Sequence, residues 1–113
     1  MLGRIEMTRP HGGEPRPGIV RTQLAVSLQV PDTDVTAGLC QAHEIGWSKY
    51  GAPLYDPVEA VKTMREYYRR MYEHNKQRWR DRKMGQWRDY ALKYLARMER
   101  CDALLAELER GSE

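Results

Sequence analysis

An all-α fold carrying one small β excursion is the class this sequence predicts, on three observations. Apolar residues recur at spacings of three and four over residues 21–42 and again from residue 57 onward, the period of amphipathic helices. No proline follows Pro57, so nothing in the second half of the chain interrupts a helix. Between these regions, HEIGWSKYGAPLY is punctuated by Gly46, Gly51 and Pro53, too turn-rich for a helix and suited to a β-hairpin or wing. The 113 residues make one domain's worth of chain, 31% charged and 41% hydrophobic. Phe is absent, so the core must rest on Leu, Val, Met, Tyr and Trp. A mean hydropathy of −0.80 implies much solvated surface, as on long exposed helices.

Taken in order, residues 1–18 hold three prolines and four glycines, and a flexible arm is expected over residues 1–20. Leu24 and Ala25 open a helix whose buried side continues at Leu28. Val30 closes a turn, and Val35 and Leu39 carry the inner face of a second helix. A small residue at Ala25 lets the two helices cross closely. This is the spacing of a helix-turn-helix, whose second helix turns its opposite face outward, into a DNA major groove where that motif binds DNA. Asp56-Pro57-Val58-Glu59 then starts a helix: Asp56 as cap, Pro57 at the first helical position, Glu59 as third member of a capping box.

Val58, Val61, Met64, Tyr68, Met71 and Tyr72 form the apolar stripe of that helix. It thins to Trp79 between Asn75 and Arg82. A strict heptad follows, Trp87, Ala91, Tyr94, Met98, Cys101, Leu105 and Leu108, the least that argues for a coiled coil or two-helix seam. Projected backward, the register meets polar Arg80 and Gln77, so a turn is expected at residues 83–86, with Gly85 supplying backbone freedom. The sequence leaves open whether the long helices fold back or run on as a rod. Arg110-Gly111 ends the last helix. The resulting division is an arm (1–20), a DNA-binding domain (21–72), and a basic helix with a heptad helix for oligomerisation (73–113).

Charge is distributed unevenly. The net +3 resolves into +2 over residues 1–21, −4 over 22–61, +7 over 62–88 and −2 over 89–113. The block KQRWRDRKMGQWR interleaves Lys76, Arg78, Arg80, Arg82, Lys83 and Arg88 with Trp79 and Trp87. A compact basic block between acidic ones points to contact with a polyanion. The competing reading is a solvated helix end with both tryptophans buried in a helix–helix seam.

Several function classes find no support. No apolar run approaches the roughly 20 residues that span a bilayer, and no signal-peptide segment opens the chain, so no membrane partner and a cytoplasmic location are expected. Cys40 and Cys101 read as reduced thiols on apolar helix faces. Cys40 and His43 form a lone C-x-x-H without a second pair, while His11 and His74 are scattered, so no metal site is expected. No Gly-rich phosphate loop occurs. Glu66 and Glu73 are explained by ion pairing with Arg69 or Arg70. The expectation is a protein that is not an enzyme and takes no cofactor.

A helix-turn-helix, a short Gly/Pro wing and then LYDPVEAV opening a helix resembles the DNA-binding domain of the small terminase subunit of lambdoid phages, a winged helix-turn-helix. The likeness covers roughly residues 21–72, with Leu54-Tyr55-Asp56 and Val58, Ala60 and Val61 at the end of the wing and the start of the next helix. The layout is also similar to MerR-type regulators and phage excisionases. The resemblance implies base contacts from Thr33, Thr36, Ala37 and Gln41 on the second helix. It implies phosphate contacts from Arg21, Thr22 and Gln23, and a wing tip at Lys49 and Tyr50. One departure stands out: the second helix carries Asp32 and Asp34 and no Lys or Arg, and carboxylates repel phosphates. The basic block, in particular Lys76, Arg78, Arg80, Arg82 and Lys83, would compensate.

The expected function is therefore recognition of double-stranded viral DNA for genome packaging. The chain would self-associate, with a ring as one form of the assembly, through the heptad from Trp87 to Leu108, and recruit the large terminase ATPase subunit. Two alternatives stand beside it: a dimeric MerR- or excisionase-like regulator, and a non-enzymatic helical adaptor or inhibitor.

Overall fold

The computed structural model describes residues 6–7 and 17–111 and is mostly helical, with four helices and two short antiparallel strand pairs. Strand β1 (Glu6–Met7) pairs with β2 (Pro17–Gly18). Most of the expected arm, including His11, lies outside the described residues. Its last part does not behave as an arm: Ile19 is fully buried and exchanges both backbone hydrogen bonds with Tyr55 (2.9 and 3.0 Å). Backbone pairing at Pro17–Gly18 and Ile19 thus precedes the first helix.

Helix α1 (Arg21–Leu28) ends in a Schellman turn. The N–H of Val30 reaches the carbonyl of Ala25 (3.0 Å), that of Gln29 reaches Val26 (3.2 Å), and Gln29 takes the left-handed conformation at φ 57°. This geometry turns the chain straight into α2 (Asp32–Gly38) and folds Val30 back against the core. Leu24, Ala25, Leu28, Val35 and Leu39 are all buried in one interior, as their spacing predicts. The second helix is shorter than expected, with Leu39 as its C-cap, so Gln41 sits in the following turn rather than on the helix.

Strands β3 (Gly46–Trp47) and β4 (Pro53–Leu54) form the expected hairpin. Helix α3 (Pro57–Arg82) starts where the sequence places it, with the Asp56 carboxylate accepting from the Glu59 N–H (2.9 Å) and Pro57 in the first turn. It runs unbroken through residues 72–73, where a domain boundary was expected. The chain then reverses at Lys83 and Met84 into α4 (Gly85–Gly111). Lys83, at φ 53°, is the residue that turns, while Gly85 merely opens the next helix.

The long helices fold back as an antiparallel hairpin, with Arg65 meeting Asp102 near one end and Arg78 meeting Trp87 near the other. The heptad stripe is thereby used inside the chain. Cys101 joins the core of Leu24, Val35, Val61, Met64 and Tyr68, with Tyr94, Met98, Leu105 and Leu108 packed against it. Leu104, off the heptad, is buried there too. Of the residues expected to drive oligomerisation, Ala91 and Cys101 are buried within the chain, while Trp87, Tyr94, Met98, Leu105 and Leu108 are half-buried.

Burial pushes the Cys101 thiol up to about 12, with neighbouring Asp102 adding to the effect. Cys40 is exposed. A thiol-specific reagent at pH 8 is expected to titrate only Cys40 in the folded chain and both cysteines in denaturant. Rapid reaction of two thiols under native conditions would show that the α4 seam opens readily.

Candidate nucleic-acid interface

Two surfaces stand out, and each is built by the local folding just described. The first is the outer side of α2. Burial of Val35 and Leu39 orients this short helix, and Thr33, Thr36 and Ala37 on its other side are exposed, with no cover from α3 or α4. Gly38 sets its distance from α3. A Cβ there would lie 2.4 Å from the sulfur of fully buried Met64, so any larger residue would force that side chain to shift within the core. Sequence reasoning assigned close approach to Ala25 and missed Gly38.

The acidic character of α2 also takes a different meaning. Asp34 is turned inward: its carboxylate accepts from the Tyr68 hydroxyl (3.1 Å) and forms an ion pair with Arg97 of α4. Both members of the pair have about one sixth of their side-chain surface exposed (17% and 16%), so this charge is compensated within the fold. Asp34 and exposed Asp32 also lie in the first turn of α2, where a negative charge suits the helix dipole. The Asp34–Tyr68–Arg97 cluster ties the start of α2 to both long helices.

The β-hairpin follows α2 directly. Its turn is held by buried Ser48, whose hydroxyl accepts from the N–H groups of Tyr50 (3.2 Å) and Ala52 (3.1 Å), and Gly51 supplies the left-handed residue at φ 83°. Lys49 and Tyr50 project from this turn, with the ammonium 5.0 Å from the ring centroid. At the start of α1, Thr22 is exposed and Gln23 half-buried. Arg21 is engaged: its guanidinium donates twice to the Tyr55 hydroxyl (3.0 and 2.7 Å), tying α1 to the end of the hairpin.

The second surface is the turn of the helical hairpin. Arg65, Arg69 and Arg97 each meet a carboxylate, whereas among the described residues none of Lys76, Arg78, Arg80, Arg82, Lys83 and Arg88 does. Trp87 is half-buried, with the Arg78 and Arg82 guanidinium groups 4.6 and 6.0 Å from its ring and Tyr90 edge-on at 5.8 Å. Trp79 is 41% exposed, so only one of the two tryptophans is covered. Trp79 lies eleven residues beyond Tyr68, where α2 docks, about 16 Å along α3. The α2 face and the basic tip are therefore separate surfaces.

Among the described residues, no group of three or more His, Cys, Asp or Glu side chains could hold a metal ion, and no helix is long and apolar enough to cross a membrane. No family model, curated protein or solved structure matches this chain.

Proposed function

We propose that this chain binds duplex DNA as a winged helix-turn-helix, with α1 and α2 as the helix pair and β3–β4 as the wing. The observation that carries this reading is the split character of α2. One side is locked into the core through Val35 and Leu39, and the other presents Thr33, Thr36 and Ala37 to solvent. Short hydroxyl and methyl side chains suit close approach to base edges, where Thr contacts either base type or a thymine methyl group. Capture of the Asp34 charge by Arg97 removes part of the repulsion expected from an acidic helix. Lys49 at the wing and the cations of the hairpin tip, which meet no carboxylate among the described residues, supply attraction to the backbone. Six phosphate contacts there would give a log–log salt slope of about −5.

The role we assign to this binding is recognition of viral DNA for packaging, with hand-over to a motor ATPase, on the strength of the sequence series from the helix pair to Leu54-Tyr55-Asp56. Because the heptad packs in part on α3, assembly into a ring would use what that stripe leaves exposed, or another surface.

The test is fluorescence anisotropy with a mixed-sequence 30-bp duplex at 50 mM salt, followed by selection from a random duplex pool. Thr33→Asp and Thr36→Asp place charge on exposed positions and should leave the melting temperature unchanged. Each is expected to weaken duplex binding about tenfold or more, the cost of losing a base contact and adding a repulsive one. Unchanged affinity in both variants would remove α2 from the interface.

A further inference from the structure

Along α3, Tyr72, Lys76, Trp79 and Lys83 follow one another at steps of four, three and four, so they share one helical face, with Arg80 beside Trp79. The Lys76 ammonium sits 5.5 Å from the centroid of the half-buried Tyr72 ring. Trp79 leaves 41% of its surface in water, and among the described residues Lys76, Arg80 and Lys83 meet no carboxylate. Tyr72 and Trp79 are about 10 Å apart along the axis, as seven residues of helix dictate. This side of α3 is distinct from the one where Arg78 and Arg82 cover Trp87.

An exposed indole with three cations three to four residues away or next to it on the helix calls for a ligand with negative charge and flat apolar faces together. A duplex offers phosphates, but each base face inside it is already covered by its neighbours. An unpaired strand offers both: phosphates for Lys76, Arg80 and Lys83, and open base faces for the rings. We propose that this stripe is a binding site for single-stranded nucleic acid, with Trp79 as the stacking platform and the three cations following the backbone. The inference goes beyond duplex recognition by α2: it shares Lys76, Arg80 and Lys83 with the backbone contacts proposed there, but base stacking on Trp79 is its own and does not rest on α2.

Four probes separate the possibilities on the full-length chain: fluorescein-labelled dT20, a 20-residue abasic strand with the same phosphates, a 20-bp duplex, and vesicles of phosphatidylserine and phosphatidylcholine. dT20 is expected to quench tryptophan emission and to bind more tightly than the abasic strand. Trp79→Ala should weaken dT20 binding about tenfold or more, the usual effect of losing one stacked base, and abolish most of the quenching, while Trp79→Phe retains part of the affinity. Trp79→Ala should leave the abasic strand and the duplex within about twofold, for lack of any open base face to stack. Circular dichroism should be unchanged, because the side chain is exposed.

The triple variant Lys76→Ala/Arg80→Ala/Lys83→Ala should flatten the salt dependence of dT20 binding by about two log units per log unit of salt, three contacts' worth on a single strand. Equal binding of dT20 and the abasic strand, an unchanged dT20 affinity in Trp79→Ala, or a preference for the vesicles would each overturn the proposal. A chain that binds dT20 through Trp79 yet ignores duplexes would defeat the α2 reading and leave this one standing.

Discussion

Arg97→Met is expected to destabilise the fold by about 3 kcal/mol, somewhat below the full cost of breaking a buried ion pair because a sixth of the pair is still in water. The mechanism is specific. Arg97 pairs with Asp34 and lies over the Tyr68 and Tyr94 rings at 5.8 and 5.7 Å, so its stem and charge are both used. Methionine keeps much of the packing but leaves the Asp34 carboxylate with the Tyr68 hydroxyl as its remaining partner. The cost is then mostly an uncompensated charge, not lost contact area. Adding Asp34→Asn to Arg97→Met removes that charge and should recover more than half of the loss. Urea unfolding of the two single variants and the double variant measures this as a coupling energy. If the double variant loses as much as the two single losses combined, the pair does not hold α2 in place. Duplex affinity should follow stability in this series, because Asp34 anchors the helix proposed to face DNA.

Much of the fold is legible in the sequence because it depends on local chemistry. Asp56-Pro57 announces the start of α3, the Gly and Pro positions announce the hairpin, and the spacing of Leu24, Ala25, Leu28, Val35 and Leu39 announces the α1–α2 pair. What is not legible depends on partners distant in the chain. Asp34 sits beside Val35 on a short helix and reads as an outward charge, because nothing local reveals that Arg97, 63 residues later, meets it. Gly38 reads as an ordinary weak helix residue until Met64 is seen against it. Ile19 follows a Pro/Gly-rich stretch that hides its pairing with Tyr55.

The heptad of α4 is a clearer case still. Its period states that one helical face is covered, and it carries no information on whether the cover is another chain or α3 of the same one. The hairpin turn illustrates a smaller ambiguity, since Gly85 is the permissive residue while Lys83, two positions earlier, adopts the left-handed conformation. For the candidate interface, exposure of Thr33, Thr36 and Ala37 follows from the same period that buries Val35. The clustering of cations at the tip follows from the sequence block KQRWRDRKMGQWR. The covering of Trp87 and exposure of Trp79 do not, because they depend on how α4 folds back.

Tyr68→Ala should cost about 4 kcal/mol, enough to unfold a domain of ordinary marginal stability at physiological temperature. The ring is fully buried, lies 6.1 Å from Tyr94 in a stacked arrangement and 5.4 Å from Tyr67 edge-on, and its hydroxyl bonds Asp34. Tyr68→Phe separates these contributions: it keeps the ring and should lose only about 1.5–2 kcal/mol, the worth of a hydrogen bond to a charged acceptor. The two variants also differ from the parent in alkali. Burial first, and then the nearby Asp34 charge, hold the Tyr68 phenol well above its ordinary range. An acid whose folded value is raised stabilises the fold fully below its unfolded value, near pH 10, and loses that contribution as pH rises further. The parent should therefore lose stability above about pH 10. Tyr68→Phe, though weaker at pH 7, should lose less over the same range. Some alkaline loss will remain, because the Tyr67 and Cys101 groups are raised by burial as well. Chemical denaturation of parent and Tyr68→Phe at pH 7, 9, 10 and 11 gives the comparison directly. Parallel decline of the two would show that the Tyr68 phenol does not stay protonated in the core, and would remove the Asp34–Tyr68–Arg97 cluster as the anchor of α2.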